Sequence, residues 1–369
     1  MEETAGRLNV MIAAGGTGGH LFPAQALALE LLEKHPDMKI TFVGAGLKKN
    51  HYFNKGIFPY LDIKSGTPFK KHPLKVLKAL LNLSRGTLSC FNFFLKKKPD
   101  VIVGFGSFHT FPAILAAKLR KVPIVIFESN ALPGKVNRYC SKWAKISAIQ
   151  FSHAHEYLNS KSVCVQMPLT KKGEVTCKEA RDYYGLEEEK FTLLVFGGSQ
   201  GAQAVNRFFC GAVERLVGEG IDFQVIHIVG DEKRGEKLRD YYSKMNVFAC
   251  VKVFEEKMEY AWTAADLSIS RSGAATLAEF IEFSVPSILI PYPYGTENHQ
   301  QKNAAFVTDE IKGAILLEEN GLRGDVLAST ILELMANEHE KLKELRTNLR
   351  TYKEEESKQD LCSVVLKSL

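Results

Sequence analysis

The sequence lacks several features that would place a protein quickly in a class. No uninterrupted apolar run approaches the ~18–20 residues that a membrane-spanning helix requires, so no such helix is predicted. The seven cysteines are odd in number and form no Cys-x-x-Cys pair, which indicates buried thiols in a reducing compartment rather than a disulfide framework. The basic surplus is small, because 48 Lys and Arg stand against 42 Asp and Glu for a formal charge of +6. Such a surplus does not by itself indicate a nucleic-acid partner.

The composition is sufficient for a sizeable core. Hydrophobic residues make up 45% of the chain and charged residues 24%, which excludes a disordered chain or a small disulfide scaffold. With 369 residues, at about 150 residues per domain, the chain has the length of roughly two domains.

The first half begins with a strand, a glycine-rich loop and a helix. The apolar stretch 8–14 leads into Gly-Gly-Thr-Gly-Gly-His at 15–20, and residues 23–32 then show helical apolar spacing. Glycines let backbone N–H groups converge at a helix N-terminus, which suits a phosphate. A plain tight turn is the other interpretation, but five small residues among six exceed what a turn needs. We therefore predict an anion-binding loop.

The second half repeats this pattern. The apolar stretch 191–196 leads into Gly-Gly-Ser-Gln-Gly-Ala at 197–202, followed by a helical stretch up to residue 216 and a strand at 223–229. Two such units predict an α/β protein with two doubly wound, Rossmann-like domains that face each other across a cleft. Ligands would bind at the carboxyl ends of the strands.

Two common nucleotide-binding classes find no support. Neither loop is Gly-x-Gly-x-x-Gly, and the strand after the first loop ends at Val43-Gly44 rather than at the acidic residue that would hold an adenosine ribose. A Walker loop is also absent from the sequence. Hydride transfer and ATP hydrolysis are therefore disfavoured, and no cofactor is predicted.

Two further segments carry polar residues just after predicted strands, and a third segment is rich in amides. The strand 123–127 ends at Glu128-Ser129-Asn130, where Asn130 fits either a ligand contact or an ordinary turn. The strand 266–270 is followed by Arg271-Ser272-Gly273 and a helix start at Ala274, whose N–H groups suit a phosphate. Glu279 could accept from a ribose diol, or the Arg and Glu could form a surface pair. The run 298–304 supplies several amides able to bind a base or a sugar.

Taken together, these motifs resemble the MurG family, which transfers N-acetylglucosamine from its UDP donor to a lipid-linked muramyl-pentapeptide. The resemblance covers nearly the whole chain and rests on GGTGGH at 15–20, GGSQG at 197–201, Arg271 to Glu279, and Gln300 with Asn303. It implies a GT-B fold with an acceptor-binding, membrane-facing N-terminal domain at 1–167 and a UDP-sugar donor domain at 168–344. It also implies that a C-terminal helix at about 345–369 packs back on the first domain.

The resemblance also implies roles for individual residues. Thr17, Gly18 and Gly19 would border the donor sugar and the acceptor pyrophosphate. Asn130 and Gln300 would lie at the N-acetylglucosamine, and Ser199 at a donor phosphate. Arg271 belongs to the donor-site motif. The helix start that would hold the pyrophosphate and the ribose comprises Ala274, Ala275, Thr276, Leu277, Ala278 and Glu279.

The sequence departs from the family pattern at the predicted uracil contact. Where the family has Gly-Asn-Pro-Val-Arg, residues 166–170 read Gln-Met-Pro-Leu-Thr, so Thr170 replaces an arginine that contacts uracil. Lys171 or Lys172 could substitute for it. Ser129 replaces a glutamine, and Glu255 stands where an apolar residue offers its backbone to the base.

Sugar transfer needs a base for the acceptor hydroxyl and stabilisation of the departing UDP. His20 is the candidate base because histidine titrates near neutrality, although a phosphate-binding histidine at a helix start is an alternative. Ser199 and the helix N-terminus at Ala274 would stabilise the leaving charge. The sequence has no Asp-x-Asp, so no tightly held catalytic metal is predicted.

The basic residues concentrate between Lys70 and Lys98. This segment has eight Lys or Arg, no acid, and many interleaved leucines and phenylalanines, Phe94 among them. It is typical of a patch that lies on an anionic bilayer without crossing it, and a solvated basic face is the alternative. No nucleic-acid-binding motif accompanies it.

The sequence thus predicts an inverting transferase that moves N-acetylglucosamine from UDP-GlcNAc to undecaprenyl-pyrophosphoryl-MurNAc-pentapeptide in peptidoglycan synthesis. We expect it to be peripheral, at the cytoplasmic face of the plasma membrane. A UDP-sugar 2-epimerase on the same fold and a nucleotide-sugar-binding protein without catalysis remain alternatives.

Overall fold

The chain folds into two α/β units. The computed structural model describes residues 7–69, 72–170, 173–198, 202–355 and 359–369. Among these, the residues up to 170 together with 359–369 form unit 1, and those from 173 to 355 form unit 2.

Unit 1 is built on one sheet covered by helices. Its strands are β1 (Asn9–Ala13), β2 (Lys39–Ala45), β3 (Tyr60–Ile63), β4 (Val101–Gly104), β5 (Ile124–Glu128), β6 (Ile146–Ile149), β7 (Ser162–Gln166) and β14 (Gln359–Asp360). Its helices are α1 (Gly18–Lys34), α2 (Pro73–Lys96), α3 (Phe111–Leu119), α4 (Lys135–Cys140) and α12 (Leu361–Leu366). Short 3₁₀ segments lie at Leu47–Lys49, Ser141–Trp143 and Ser152–Tyr157.

The strands of unit 1 run in the order β14-β7-β6-β5-β4-β1-β2-β3, and every described pair is parallel. Parallel strands are covered on both faces, which explains why β1 and β4 are continuous apolar runs. The strand order reverses at β1, which lies beside β2 on one side and β4 on the other, with Ala13 opposite Gly104. In an open α/β sheet, ligands bind outside the carboxyl ends of the strands at such a switch point.

Unit 2 has the same design. Its strands are β8 (Thr192–Phe196), β9 (Gln224–Ile228), β10 (Ala249–Lys252), β11 (Leu267–Ser270), β12 (Ser287–Leu289) and β13 (Ala314–Leu316). Its helices are α5 (Cys177–Tyr184), α6 (Gln203–Gly218), α7 (Glu232–Lys244), α8 (Met258–Ala264), α9 (Ala274–Phe283), α10 (His299–Ala305) and α11 (Gly324–Glu355). A 3₁₀ turn at Thr296–Asn298 and a π-helical turn at Phe306–Ile311 flank α10.

The sheet of unit 2 has the order β10-β9-β8-β11-β12-β13, again fully parallel. This is the strand order of dinucleotide-binding folds, and it places the switch point between β8 and β11. The predicted fold class, two doubly wound α/β domains, is therefore confirmed.

The return of the chain to unit 1 begins later than the resemblance implies. Helix α11 is interrupted at residues 336–339, but its second half stays bonded to unit 2. Arg346 donates to the carbonyl of Asp266 at 3.2 Å, and Lys353 donates to that of Glu282 at 2.8 Å. The segment that packs on unit 1 is therefore 359–369 rather than 345–369.

Helix α2 has one face in the core of unit 1 and one face in solvent. Ala79, Leu83, Gly86, Cys90 and Phe94 are buried at helical spacing. Phe94 therefore belongs to the core, and the prediction that grouped it with a surface patch was wrong. Among the described residues, no helix is both long enough and apolar enough to cross a membrane.

Candidate functional site

The candidate site in unit 2 lies at the carboxyl ends of β8 and β11. The two strands are adjacent, with Phe196 opposite Ser270, and both lead directly into loops. Gly197 and Gly198 follow β8, and the left-handed φ of +82° at Gly198 needs a residue without a side chain. Ser199 lies outside the described residues, so its predicted phosphate contact stays a prediction.

Helix α9 begins at the end of the loop that follows β11. Its N-cap is Gly273, in extended conformation and without a side-chain cap, and the N–H of Leu277 closes the first turn on the Gly273 carbonyl at 3.0 Å. A helix start of this kind presents backbone N–H groups and a partial positive charge to an anion. The side chains of Ala274, Thr276 and Leu277 are buried, whereas Ala275 and Ala278 are half-buried. Any contact from Leu277 to a ligand would therefore come from its backbone.

Arg271 is an internal brace of this loop. Its guanidinium is buried, pairs with the carboxylate of Glu319, and donates to the carbonyls of Ile290 and Pro291 at 2.9 and 3.1 Å. It also lies over the ring of Tyr292 at 5.4 Å. The partner of Arg271 is thus Glu319, not a neighbour on α9. These bonds fix the loops after β11 and β12 to each other.

Glu279 lies one and a half turns into α9 and is half-buried. Its Oε2 accepts a hydrogen bond from the indole Nε1 of the buried Trp262 at 2.9 Å. Burial raises the pKa of Glu279 to about 7, against the opposing effect of the Trp262 bond, and Glu259 adds to the rise. The carboxylate is thus oriented by Trp262 and titrates near neutrality.

Helix α10 ties the amide-rich segment to the same loops. The Oε1 of Gln300 accepts from the backbone N–H of Tyr292 at 2.9 Å, and the carbonyl of Gln300 accepts from Ser272 Oγ at 2.8 Å. Asn303 donates to the carbonyl of Ser272 at 3.2 Å. The structure therefore brings Gln300 and Asn303 to the loop that precedes α9, as their order in the motifs suggests.

The segment of unit 2 that is predicted to contact the uracil base differs from the family pattern. Glu255 is buried and accepts from Lys252 at 2.7 Å, from the backbone N–H of Lys257 at 2.8 Å and from the Tyr184 hydroxyl at 2.9 Å. Although burial opposes it, these donors hold the pKa of Glu255 below its ordinary value. The acidic side chain points inward and fixes the loop after β10. Thr170 is exposed in unit 1, and Lys171 and Lys172 lie outside the described residues.

In unit 1, the first glycine-rich loop occupies the switch point after β1. Gly16 has a left-handed φ of +90°, and its carbonyl accepts from Asn50 Nδ2 at 2.7 Å. Thr17 is the N-cap of α1 in extended conformation, so Gly18 and Gly19 form the first helical turn. Thr17 and Gly19 are exposed and Gly18 is buried. The predicted loop thus forms, with backbone N–H groups at a helix start.

His20 is the third residue of α1 and is half-buried. Its backbone N–H donates to the carbonyl of Thr17 at 3.2 Å, which places it on the turn that closes the loop. The structure therefore places the candidate base directly beside the residues predicted to border the pyrophosphate.

Two residues beside this loop carry no signal in the sequence. His109 packs against it so closely that a Cβ on Gly15 would lie 2.9 Å from the His109 Cβ. Its Nδ1 lies 2.8 Å from the hydroxyl of Ser107, a residue with a left-handed φ of +68°. Burial lowers the pKa of His109, so the imidazole is neutral at pH 7. Gly104 and Gly106, at and just after the end of β4, are the local sequence feature that accompanies this arrangement.

Asn130 is held by a buried carboxylate that sequence reasoning also missed. Glu128, at the end of β5, accepts from the backbone and side-chain N–H groups of Asn130 at 2.9 and 3.1 Å. Its other oxygen accepts from Gly134 N at 3.0 Å and Asn137 Nδ2 at 2.9 Å. Burial raises the pKa of Glu128, whereas these four donors oppose the rise. Asn130 is therefore held in place by Glu128 at the carboxyl end of β5.

One group of side chains in unit 1 has the composition of a cation site. Glu30, Asp360 and Cys362 lie close together, but Lys34 already bonds both carboxylates, at 2.7 and 3.2 Å. Burial also raises the pKa of Cys362 to about 11, which disfavours the thiolate that would bind a metal. The Lys34 ammonium provides the positive charge at this position.

Comparisons with known proteins agree with this geometry. A sequence model described as the glycosyltransferase family 28 N-terminal domain matches residues 10–149, and one for the C-terminal domain matches 192–361. The UDP-N-acetylglucosamine–N-acetylmuramyl-(pentapeptide) pyrophosphoryl-undecaprenol N-acetylglucosamine transferase of Protochlamydia amoebophila is 42% identical over 359 residues, which cover 96% of this chain and 94% of that protein. The protein of the same name from Chlamydia pneumoniae is 33% identical over 94% of this chain and 95% of its own length.

Solved structures give the same result. The crystal structure of MurG from Acinetobacter baumannii matches with a TM-score of 0.74 at 25% identity and covers 98% of both chains. A UDP-glucosyltransferase from Polygonum tinctorium, 15% identical with a TM-score of 0.70 over 99% of this chain and 98% of its own, shares the fold. The predicted family is confirmed: this chain is a glycosyltransferase of the GT-B fold and belongs to the MurG family of N-acetylglucosamine transferases.

Proposed function

We propose that this chain transfers N-acetylglucosamine from UDP-GlcNAc to muramyl-pentapeptide pyrophosphoryl-undecaprenol, with inversion at the anomeric carbon. The observation that carries the proposal is the start of α9 at the β8–β11 switch point, with Glu279 and Gln300 beside it, in a chain of this family. The donor site would lie in unit 2, and the acceptor diphosphate would bind at the glycine-rich loop of unit 1.

The α9 start accounts for stabilisation of the leaving group. As the bond between the sugar and the diphosphate breaks, negative charge grows on UDP, and N–H dipoles already aimed at it lower the barrier by several kcal/mol. Glu279 would accept from the ribose hydroxyls, and Gln300 would contact the sugar. Removal of the acceptor hydroxyl proton is assigned to His20.

The test is to saturate the protein with UDP-GlcNAc or UDP-glucose, with and without a soluble acceptor analogue, and to measure UDP release. We expect release with UDP-GlcNAc that depends on the acceptor. Formation of an epimerised donor without acceptor would instead support a 2-epimerase, and saturable binding without turnover would support a binding protein.

Replacement of Glu279 by alanine should weaken UDP binding by about 1.5–3 kcal/mol, the range for a hydrogen bond to a charged group. This corresponds to roughly a 10–150-fold rise in the dissociation constant measured by calorimetry. Glu282→Ala, an exposed position on the same helix, is the matched control and should leave the affinity unchanged. An unchanged affinity in Glu279→Ala would contradict the assignment.

The affinity of UDP-GlcNAc should also depend on pH through Glu279. Because the pKa of its carboxyl is about 7, the acceptor oxygens become protonated as the pH falls from 8 to 6, and binding should weaken in that direction. Glu279→Gln should remove this dependence. A parent protein with constant affinity over this range would contradict a carboxylate contact.

The membrane surface would be the exposed face of α2. The leucines on this face are 48–69% exposed, namely Leu74, Leu77, Leu80, Leu81, Leu88 and Leu95. Exposed cations flank them, namely Lys75, Lys78, Arg85, Lys96, Lys97 and Lys98, whereas Lys70 and Lys71 lie outside the described residues. A helix with leucines among cations suits the boundary of an anionic bilayer. The proposed location is the cytoplasmic face of the plasma membrane.

Changing Lys96, Lys97 and Lys98 to Ser should release the protein from anionic vesicles. Each lysine near the surface contributes about 1 kcal/mol at low salt, so three correspond to roughly 100-fold weaker partitioning. Turnover of a soluble acceptor should be spared. A triple change of Lys233, Lys237 and Lys244 on α7 in unit 2 removes the same charge and serves as control. Equal bound fractions in sedimentation at low and high salt would contradict the membrane role of α2.

A further inference from the structure

Five aromatic side chains of unit 1 form a continuous line of ring contacts. The ring centroids of Phe69 and Phe108 are 5.7 Å apart, and those of Phe108 and Phe111 are 6.4 Å apart. Phe111 lies 6.1 Å from Tyr139 and 6.4 Å from Trp143, which are 5.1 Å from each other. We call this line the aromatic strip.

The aromatic strip lies at the boundary between the core of unit 1 and its surface. Phe108, Phe111 and Trp143 pack against the core of unit 1 and are half-buried, so their positions are fixed. Tyr139 is 50% exposed and Phe69 is 65% exposed. A row of touching rings that is partly exposed and packed on a fixed base is typical of a binding surface for an apolar partner.

The aromatic strip passes next to the glycine-rich loop at Phe108. Phe108 follows β4 and directly precedes His109, which packs against Gly15 and Gly16. Beyond Phe108, the strip continues to Phe111, the first residue of α3, and to Trp143, whose ring lies 4.7 Å from the ammonium of Lys118. From Phe108 the strip therefore extends by two further ring contacts, first to Phe111 and then to Tyr139 and Trp143.

Cations accompany the aromatic strip. Lys135 lies 4.7 Å from the Phe69 ring, and Lys142 lies 3.5 Å from the Tyr139 ring. Between residues 101 and 155 the only acidic residue is Glu128, which is buried and accepts four hydrogen bonds. A ligand that joins an anionic group to a hydrocarbon chain is complementary to this surface.

We propose that the aromatic strip binds the isoprenoid units nearest the diphosphate of the lipid-linked acceptor. This inference rests on the proposed function, in which the acceptor carries an undecaprenyl chain on its diphosphate. The isoprenoid units are bonded directly to the diphosphate, so when the diphosphate occupies the glycine-rich loop, we expect the first units of the chain to lie outside the bilayer. Exposing them to water is unfavourable by roughly fourfold per methylene, and contact with the rings avoids that exposure.

The shape of the aromatic strip favours a single chain over a bilayer. Its rings touch one another and three of the five are half-buried, so they form a low, continuous track. The leucines of α2 protrude separately, which suits insertion among many lipid tails. Lys135, Lys142 and Lys118 have long, flexible stems, so their ammonium groups can turn from the ring faces toward phosphate oxygens as the chain enters.

The test compares acceptor analogues with the same sugar, peptide and diphosphate that carry either a methyl or a farnesyl group, without vesicles or detergent. The double variant Phe69→Ser, Tyr139→Ser changes only the two most exposed rings. We expect about a tenfold rise in KM for the farnesyl acceptor, an unchanged KM for the methyl acceptor, and an unchanged kcat for both. Tyr157→Ser, at an exposed tyrosine elsewhere in unit 1, is the matched control and should change nothing.

A second measurement does not depend on turnover. Trp143 is one of two tryptophans in the chain, so farnesyl diphosphate should change the intrinsic fluorescence and methyl diphosphate should not. The double variant should need about tenfold more farnesyl diphosphate for the same change. If this titration gives the expected difference but no acceptor is turned over, the proposed transferase activity is contradicted. The proposed binding of isoprenoid units by the aromatic strip is then still supported.

Two results would overturn the proposal. The first is a KM ratio between farnesyl and methyl acceptors that is the same in the parent and the double variant. The second is a variant that loses binding to anionic vesicles while its fluorescence response to farnesyl diphosphate stays that of the parent, which would make the strip a bilayer contact.

Discussion

His20→Ala should lower the turnover number by roughly 10²–10⁴-fold, the usual contribution of a general base, and leave the dissociation constant of UDP-GlcNAc nearly unchanged. The reason is position. His20 lies in the first turn of α1, directly after the loop proposed to hold the acceptor diphosphate, whereas the contacts to the UDP part of the donor are assigned to unit 2. Single-turnover kinetics and donor calorimetry on the same preparation check both parts.

His35→Ala is the matched control for this experiment, because His35 is exposed and follows the other end of α1. It should leave turnover unchanged. If the turnover number of His20→Ala falls only a few-fold, His20 is a positioning residue and not the general base. A parallel loss of affinity for the acceptor diphosphate would instead identify it as a phosphate contact.

Acid should destabilise unit 2 through a buried histidine. His227 is fully buried on β9, and its Nε2 donates to Asn206 Oδ1 at 3.1 Å, since an amide oxygen only accepts. The Tyr242 hydroxyl then donates to Nδ1 at 2.7 Å. Burial lowers the pKa of His227 from 6.5 to about 3, so the native imidazole stays neutral while the unfolded one takes up a proton below pH 6.5.

The unfolded state therefore binds more protons between pH 6.5 and about 3, and the free energy of unfolding falls as the pH falls through that window. At 1.36 kcal/mol for each pKa unit, the loss between pH 7 and pH 4.5 is roughly 2–3 kcal/mol. Denaturant unfolding at several pH values measures it. His227→Gln should be less stable at pH 7 but should lose less between the two pH values. A free energy of unfolding that changes equally with pH in parent and variant would contradict this account.

The glycine-rich loops and the helices that follow them could be predicted because their signals are local. The run at 15–20 and the sequence from Arg271 to Glu279 each contain a strand end, small residues and a helix start within a few positions. Backbone conformation and apolar spacing determine such a unit almost alone, so α1 and α9 begin where the residues indicate.

The bonds that orient the site residues could not be predicted, because their partners are distant in sequence or equally common as surface side chains. Arg271 pairs with Glu319, and nothing in either local sequence marks the other. His109 contacts Gly15 only because β1 and β4 are adjacent in the sheet. The groups that donate hydrogen bonds to Glu128 all lie within nine residues of it. The local sequence nevertheless resembles that of any strand end.

The sequence also could not predict which face of α2 is buried. Its leucines, phenylalanines and lysines alternate in a way that fits a surface patch or a core face. Gly86 packs against the carbonyl of Lys64 with no room for a Cβ, and this close approach marks the side that faces inward. Phe94 lies on that side and is buried, whereas Leu88 faces outward.

The return of residues 359–369 to unit 1 has a consequence for biosynthesis. β14 pairs with β7, and α12 packs on α1 with Leu361, Val364 and Val365 buried. These residues emerge from the ribosome about 190 residues after β7, which at 5–20 residues per second means roughly 10–40 s. Throughout that time the nascent chain has an unpaired strand edge at β7 and an uncovered apolar area on α1. Unit 2 is synthesised within the same interval, so the half of the protein that is translated first is the last to be completed.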